Sequence, residues 1–362
     1  MLETRRIRLD RIASSTKNAH LGPTVIVGPE VIAEEGYVLA VRILEDKSAY
    51  NTVEDPSGRM IPLRSGDVLA GTLGSRRALK GYAGEVPPAI EPGDTIEVLN
   101  LGGVLGRCTS SHPEHGAPFR AEVLGAVLVF PALGDRVGRP AHIRDGAIPE
   151  AATLGSRVPV VYVAGTCMSA GKTAAATELT RGLSRQGLRV AAAKLTGVAL
   201  MRDTLAMTDA GAVAAATFND AGRASTRAGT TAAVARGLLN HLAAAAPDVV
   251  VAELGDGILG EYGVADILRD PELMHVAAAI VMAAPDPVGC WGAVALMKDL
   301  FGLSVDVITG PATDNEIGRG YVHRALGLPA HNAFTDPRGL VGAVRSAMDR
   351  RAVFLTPAGA AR

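Results

Sequence analysis

The stretch that most constrains this chain is Val160-Val-Tyr-Val-Ala-Gly-Thr-Cys-Met-Ser-Ala-Gly-Lys-Thr173. Four apolar, mostly β-branched residues, Val160 to Val163, read as a buried strand. A loop of small residues runs from Ala164 to Gly171, and Lys172-Thr173 opens an alanine-rich helix predicted to reach Gln186. Strand, glycine-containing loop and Lys-Thr at a helix start form the context that a phosphate-binding loop requires. Its backbone N–H groups and the helix N-terminus converge on one small volume and draw anions into it. The expected cofactor-binding residues are Gly165, Thr166, Ser169, Ala170, Gly171, Lys172, Thr173 and Ala174. Lys172 is expected to reach the β- and γ-phosphates of a nucleotide, taken as ATP, and the Thr173 hydroxyl to bind Mg²⁺. A plain tight turn ahead of an ordinary helix is the blander reading. The strand and helix that flank the loop argue against it.

The residues departing from the G-x-x-x-x-G-K-T pattern are informative. Position 166 is Thr166, and the glycine, Gly165, lies one place earlier. The form Gly-Thr-x-x-Ser-x-Gly-Lys-Thr resembles the loop of the dethiobiotin synthetase and cobyrinate amidotransferase-type synthetases, a branch of the P-loop NTPases. The resemblance covers about residues 158–335 and is supported by two weaker segments. One is Lys194-Leu-Thr196-Gly197, where that family has a Lys and a small-residue turn facing substrate and phosphates. The resemblance therefore implies a catalytic role for Lys194. The other is Val249-Val-Val-Ala-Glu253-Leu-Gly-Asp256-Gly257. Small or branched apolar residues ending in an acid have the shape of a Walker-B strand, whose acid holds Mg²⁺ directly or through water. Glu253 ends the apolar run, and Asp256 is close enough to serve instead or in addition. The segment is similar to the Glu-Gly-x-Gly of the synthetases, although Leu254 departs from it. The expected catalytic residues are thus Lys172, Lys194 and Glu253, and the expected metal ligands Thr173, Glu253 and Asp256. The resemblance also implies a homodimer, and Asn315 or Asn332 near the nucleotide base.

From residue 158 the pattern alternates. Strands are predicted over 158–164, 188–193, 248–254, 275–283, 304–309 and 328–333. Helices are predicted over 172–186, 213–216, 230–246, 291–301, 317–326 and 339–350. Such alternation implies a mostly parallel, doubly wound sheet with helices on both faces and ligands beyond the carboxyl ends of the strands. The stretch after Lys194 reads as a binding loop. Its Asp203, Asp209 and Asp220 are candidates for Mg²⁺ or a substrate amine, with no basis for choosing among them. Trp291 is read equally as core or as a stacking platform. Cys167 is read as a small residue filling the loop.

The first part of the chain is β-rich. Short apolar runs at 24–27, 37–44, 68–72, 95–101 and 122–130 are separated by turn signals such as Asp55-Pro-Ser-Gly58 and Pro92-Gly-Asp94. This spacing suggests a small barrel or sandwich. The boundary falls near residue 150, giving a β-rich N-terminal domain over 1–150 and a P-loop nucleotide-binding domain over 151–362. Cys108, His112 and His115 are candidate metal ligands, and Arg76-Arg77-x-x-Lys80 a candidate anion site. Both also read as solvated loops.

Composition narrows the function classes. The chain has 362 residues, 48% of them hydrophobic, and a net charge of −1. That charge argues against a nucleic-acid partner. No apolar run reaches transmembrane length, and the N-terminus lacks the apolar core of a signal peptide. Three cysteines form no disulfide framework, which predicts a cytoplasmic protein. The expectation is an ATP- and Mg²⁺-dependent enzyme that activates a small-molecule substrate by phosphoryl transfer, in the manner of a ligase or synthetase. Two other classes stay open: a nucleotide-switched regulator or metallochaperone NTPase, and an acyltransferase that uses the loop for coenzyme A.

Overall fold

The computed structural model describes residues 4–355. The chain divides into two compact units. The first runs to Ile148 and includes Val198–Arg202 and Phe218–Thr226. The second comprises Pro149–Gly197, Asp203–Thr217 and the chain from Arg227 onward.

The first unit contains β1 (Arg5–Arg8), β2 (Arg11–Ile12), β3 (Thr24–Gly28), β4 (Val38–Ile43), β5 (Thr52–Glu54), β6 (Met60–Pro62), β7 (Val68–Leu73), β8 (Arg76–Arg77), β9 (Tyr82–Glu85), β10 (Thr95–Val98), β11 (Val104–Ser111), β12 (Phe119–Val129) and β13 (Arg139–Pro140). Strand β12 pairs with β4, β4 with β7, β7 with β11, β11 with β10, and β10 returns to β12. The ring closes, so the β-rich part is a barrel, and closure removes the free edges of those strands. Every second residue of β4, namely Leu39, Val41 and Ile43, joins Leu69, Leu73, Ile96, Leu105, Phe119 and Val123 in one core. The Gly-Asp turns at Gly66-Asp67 and Gly93-Asp94 use one device. Asp67 Oδ2 accepts from the Arg64 N–H at 3.0 Å, and Asp94 Oδ2 from the Glu91 N–H at 2.8 Å.

Two later stretches belong with this unit through buried polar groups. The Glu54 carboxylate, fully buried, accepts from Ser14 Oγ at 2.6 Å and from the N–H groups of Met201 at 2.7 Å and Arg202 at 2.9 Å. Asn100 Nδ2 donates to the Ala199 carbonyl at 2.7 Å, and Asn18 Nδ2 to that of Asn219 at 2.9 Å.

The second unit is α/β. Its elements are β14 (Val160–Gly165), α1 (Lys172–Arg185), β15 (Val190–Thr196), α2 (Arg202–Asp209), β16 (Ala214–Thr217), α3 (Thr231–Ala243), β17 (Val249–Leu254), α4 (Val264–Arg269), α5 (Pro271–His275), β18 (Ala277–Ala283), α6 (Pro287–Phe301), β19 (Val307–Thr309), α7 (Glu316–Tyr321) and α8 (Pro337–Leu355). The sheet order is β16-β15-β17-β14-β18-β19, and every pairing is parallel. Both faces of β14 are covered, which is why its sequence reads as a continuous apolar run. Val161 and Val163 pack against Ala176, Leu179 and Leu183 of α1 and Leu340 and Val344 of α8. Tyr162, on the other face, donates its hydroxyl to the Leu273 carbonyl at 3.0 Å.

Three sequence expectations are corrected here. Residues 213–216 are not helical: Ala214–Thr217 is the edge strand β16, because its pairing with β15 outweighs the helix preference of alanine. The expected strand over 328–333 is a single bridge between Ile308 and Ala330. The stretch after Lys194 is not wholly loop, since Arg202–Asp209 forms α2. Among the described residues no helix is long and apolar enough to cross a membrane.

Candidate active site

The chain leaves β14 at the sheet centre, moves out to β15 and β16, and returns to β17 between β15 and β14. Ligands in such sheets bind where the order reverses, beyond the carboxyl ends of the strands. The loop after β14 occupies that position. Its shape depends on left-handed backbone at Ser169 (φ 61°) and Gly171 (φ 96°), and Gly171 is the N-cap of α1. Gly165 has a different reason: a Cβ there would lie 2.9 Å from Cγ and Cδ of Lys172. The Lys172 stem therefore lies directly over Gly165. Its ammonium donates to the Cys167 carbonyl at 2.7 Å. Burial lowers the pKa of this ammonium, against the opposing pull of Glu253.

Sheet register gathers the remaining groups. Lys194 of β15, Glu253 of β17 and Val163 of β14 are partners across three adjacent strands. Register partners share a sheet face, so Lys194 and Glu253 come together beside the loop. Thr173 Oγ1 donates to Glu253 Oε1 at 3.1 Å and lies 3.4 Å from Asp203 Oδ1. The Lys194 ammonium pairs with Asp203 Oδ2 and stands 3.9 Å from Glu253 Oε1. Lys172, Lys194, Asp203, Glu253 and Asp256 are all buried. Asp256 stands on left-handed backbone (φ 66°) in the loop after β17, and its charge acts on Lys172. The supporting loops are tied together: Ile258 N–H donates to the Gly165 carbonyl at 2.9 Å, and Thr196 Oγ1 to that of Gly255 at 2.9 Å.

Of the three aspartates in the stretch after Lys194, the structure brings only Asp203 here. Asp209 is exposed at the end of α2, and Asp220 pairs with Lys17 at 2.5 Å in the first unit. The signal that singles out Asp203 is its place in the first turn of a short helix just after the Lys-containing strand.

The donor set fits Mg²⁺. A hydroxyl and carboxylate oxygens are its preferred ligands, and Glu253 Oε2 is buried without a hydrogen bond. Among the described residues no group of three or more His, Cys, Asp or Glu could hold a metal by itself. Mg²⁺ in phosphate sites uses one or two carboxylates and completes its shell with water and phosphate oxygens, so the two observations agree.

The other candidates are placed as follows. Asn315 is the N-cap of α7 and accepts from the N–H groups of Ile317 and Gly318. Asn332 Nδ2 donates to Asp314 Oδ1 at 2.8 Å, while its Oδ1 accepts from the N–H groups of Phe334 and Thr335. Both side chains thus build the loops that follow β19. Trp291 is 58% exposed on α6 and is not core. In the barrel unit, Cys108 Sγ donates to the Ser110 carbonyl, His112 Nδ1 accepts from the Glu114 N–H, and His115 stacks on Tyr50 at 4.8 Å. Arg76 is buried and donates to the Tyr50 hydroxyl at 3.1 Å and to the Leu99 carbonyl. Lys80 lies 3.8 Å from Glu114.

No family model matches the sequence, and no curated protein matches it. Solved structures do match part of the chain. Chloroplast FtsY from Physcomitrella patens is 15% identical with a TM-score of 0.38, over 56% of this chain and 70% of that one. HypB from Helicobacter pylori, in complex with nickel, is 15% identical with a TM-score of 0.36, over 56% and 91%. A DUF1611 family protein from Anabaena variabilis is 16% identical with a TM-score of 0.39, over 57% of this chain and 64% of that one. The parallel strand order and the loop between β14 and α1 are those of a P-loop fold.

Proposed function

We propose that this chain is a nucleoside-triphosphate- and Mg²⁺-dependent enzyme that transfers a phosphoryl group to a small anionic acceptor, with ATP as the expected donor. The observation that carries this reading is a second buried lysine beside the phosphate loop. Lys172 already supplies the loop's own cation. Lys194, tied to Asp203 and 3.9 Å from Glu253, adds another from the neighbouring strand β15. A carboxylate or carbamate acceptor matches that charge. The same arrangement follows from the resemblance to the synthetases, which rests on the quoted residues.

The loop amides and the N-terminus of α1 bind phosphate oxygens, and Lys172, leaving the Cys167 carbonyl, adds its charge to theirs. Thr173 and Glu253 would hold Mg²⁺, with Asp203 and Asp256 alongside. Bound there, the ion neutralises charge on the β- and γ-phosphate oxygens. Lys194 orients the acceptor. Catalysis of this kind is positioning and electrostatic stabilisation, without a covalent role for the protein.

A substrate screen for ADP release tests the reading. An acceptor that raises ADP release in the wild type should do so at least about tenfold less in Lys194→Ala, roughly 1.4 kcal/mol of transition-state stabilisation. Nucleotide-dependent binding of another protein with no acceptor-stimulated turnover would instead indicate a switch. Coenzyme A dependence without ADP would indicate acyl transfer.

A further inference from the structure

We infer that the Lys194 ammonium is a built-in counter-ion for the divalent-cation position: it competes with the metal for Asp203 and Glu253, and is set free for the acceptor when the metal binds. The inference rests on the reading of this site as a Mg²⁺–nucleotide site and adds what opposes the charge of its carboxylates before the metal binds. Glu253 Oε1 and Asp203 Oδ1 approach the same hydroxyl, that of Thr173, at 3.1 Å and 3.4 Å. Two buried carboxylates converging on one point repel each other and lack the screening of water. Lys194 answers both, by its pair with Asp203 Oδ2 and by its 3.9 Å approach to Glu253 Oε1. Once Lys194 withdraws, the charge of a divalent ion matches that of these two carboxylates.

Glu253 Oε2, buried and without a hydrogen bond, is the oxygen that Lys194 does not serve. A cation held by Thr173 and Glu253 would also stand within a few ångströms of the ammonium, and like charges at that range repel strongly. Lys194 has a four-carbon stem and three rotatable donors, so it can leave Asp203 without backbone movement. Asp203 is then a positioning residue: it parks Lys194 while the site is empty of metal. A permanent Lys194–Asp203 pair that only holds α2 in place is the competing account.

The two accounts predict different metal affinities in the absence of nucleotide. Mn²⁺ alone, titrated into nucleotide-free protein and followed by its electron paramagnetic resonance signal, gives the affinity directly. Exchange predicts that Lys194→Met binds Mn²⁺ at least about tenfold more tightly than wild type, while Lys194→Arg, which keeps the charge, stays within about threefold of it. Unchanged or weaker binding by Lys194→Met overturns the inference, and so does equal tightening in both variants. Should Lys194→Met not fold, ¹⁵N spectra of the wild-type lysine ammonium groups decide the matter, with the Lys194 signal assigned by its loss in Lys194→Arg. That signal must shift on saturation with Mg²⁺, and a stationary signal contradicts the exchange. If the wild type binds no nucleotide, the proposed function fails, yet the Mn²⁺ titration still decides whether Lys194 and the metal compete.

Discussion

Lys172 and Gly165 illustrate how one residue sets the state of another. The lysine stem lies over a glycine that has no room for a side chain, with Cγ and Cδ 2.9 Å from where a Cβ would stand. Gly165→Ala should therefore push Lys172 off its path and weaken nucleotide binding by about tenfold, measured by calorimetry. Unchanged affinity would show that the stem is free to rearrange. His142, in the barrel unit, gives a pH prediction. Its Nδ1 accepts the Arg144 N–H at 2.9 Å, so Nε2 carries the proton and donates to the Glu35 carbonyl at 3.1 Å. Burial holds its pKa below the ordinary 6.5. The folded state thus binds this proton less readily than the unfolded chain, and stability falls as pH drops from about 6.5 toward the depressed folded value. Denaturant unfolding between pH 7 and 5 should show a shallower decline in His142→Asn than in wild type. Identical slopes would remove His142 from the account.

At the scale of elements, the sequence was most legible where local and global demands agree. The β14 run, its loop and the start of α1 fall where the residues place them, because a strand buried on both faces must be uniformly apolar and a phosphate loop must be small. The alanines of 213–216 misled, since their intrinsic preference is helical and only pairing with β15 makes them a strand. Asp203 was visible only as one of three acids. Its selection depends on α2, a helix of eight residues too short to announce itself by periodicity. Glu54 was not singled out at all. Nothing in Thr52–Glu54 says that its last residue will be buried and will accept from Ser14, Met201 and Arg202. Glu54→Ala removes the shared acceptor of three groups, and should cost roughly 2–4 kcal/mol in chemical denaturation. A change below about 0.5 kcal/mol, ordinary for an exposed substitution, would mean that water replaces the carboxylate freely.

At the scale of the whole molecule, the chain contains a closed five-strand barrel ring and a parallel six-stranded sheet, and the stretches 198–202 and 218–226 of the later half belong with the barrel unit. The sequence suggests a β-rich first part but not its closure, because ring closure depends on the pairing of β10 with both β11 and β12, partners that no local pattern encodes. It also places the domain change near residue 150 without foreseeing the two returns, which rest on scattered side chains such as Asn18, Glu54 and Asn100. What unites the account is the claim that the loop after β14 holds a Mg²⁺-bound nucleotide. Calorimetric titration with ATP, GTP, CTP and coenzyme A in the presence of Mg²⁺, on wild type and Lys172→Ala, tests it most directly. The account predicts saturable triphosphate binding that Lys172→Ala weakens by about tenfold or more, roughly 1.4 kcal/mol. Absence of triphosphate binding in the wild type, or binding that the substitution leaves unchanged, would contradict it.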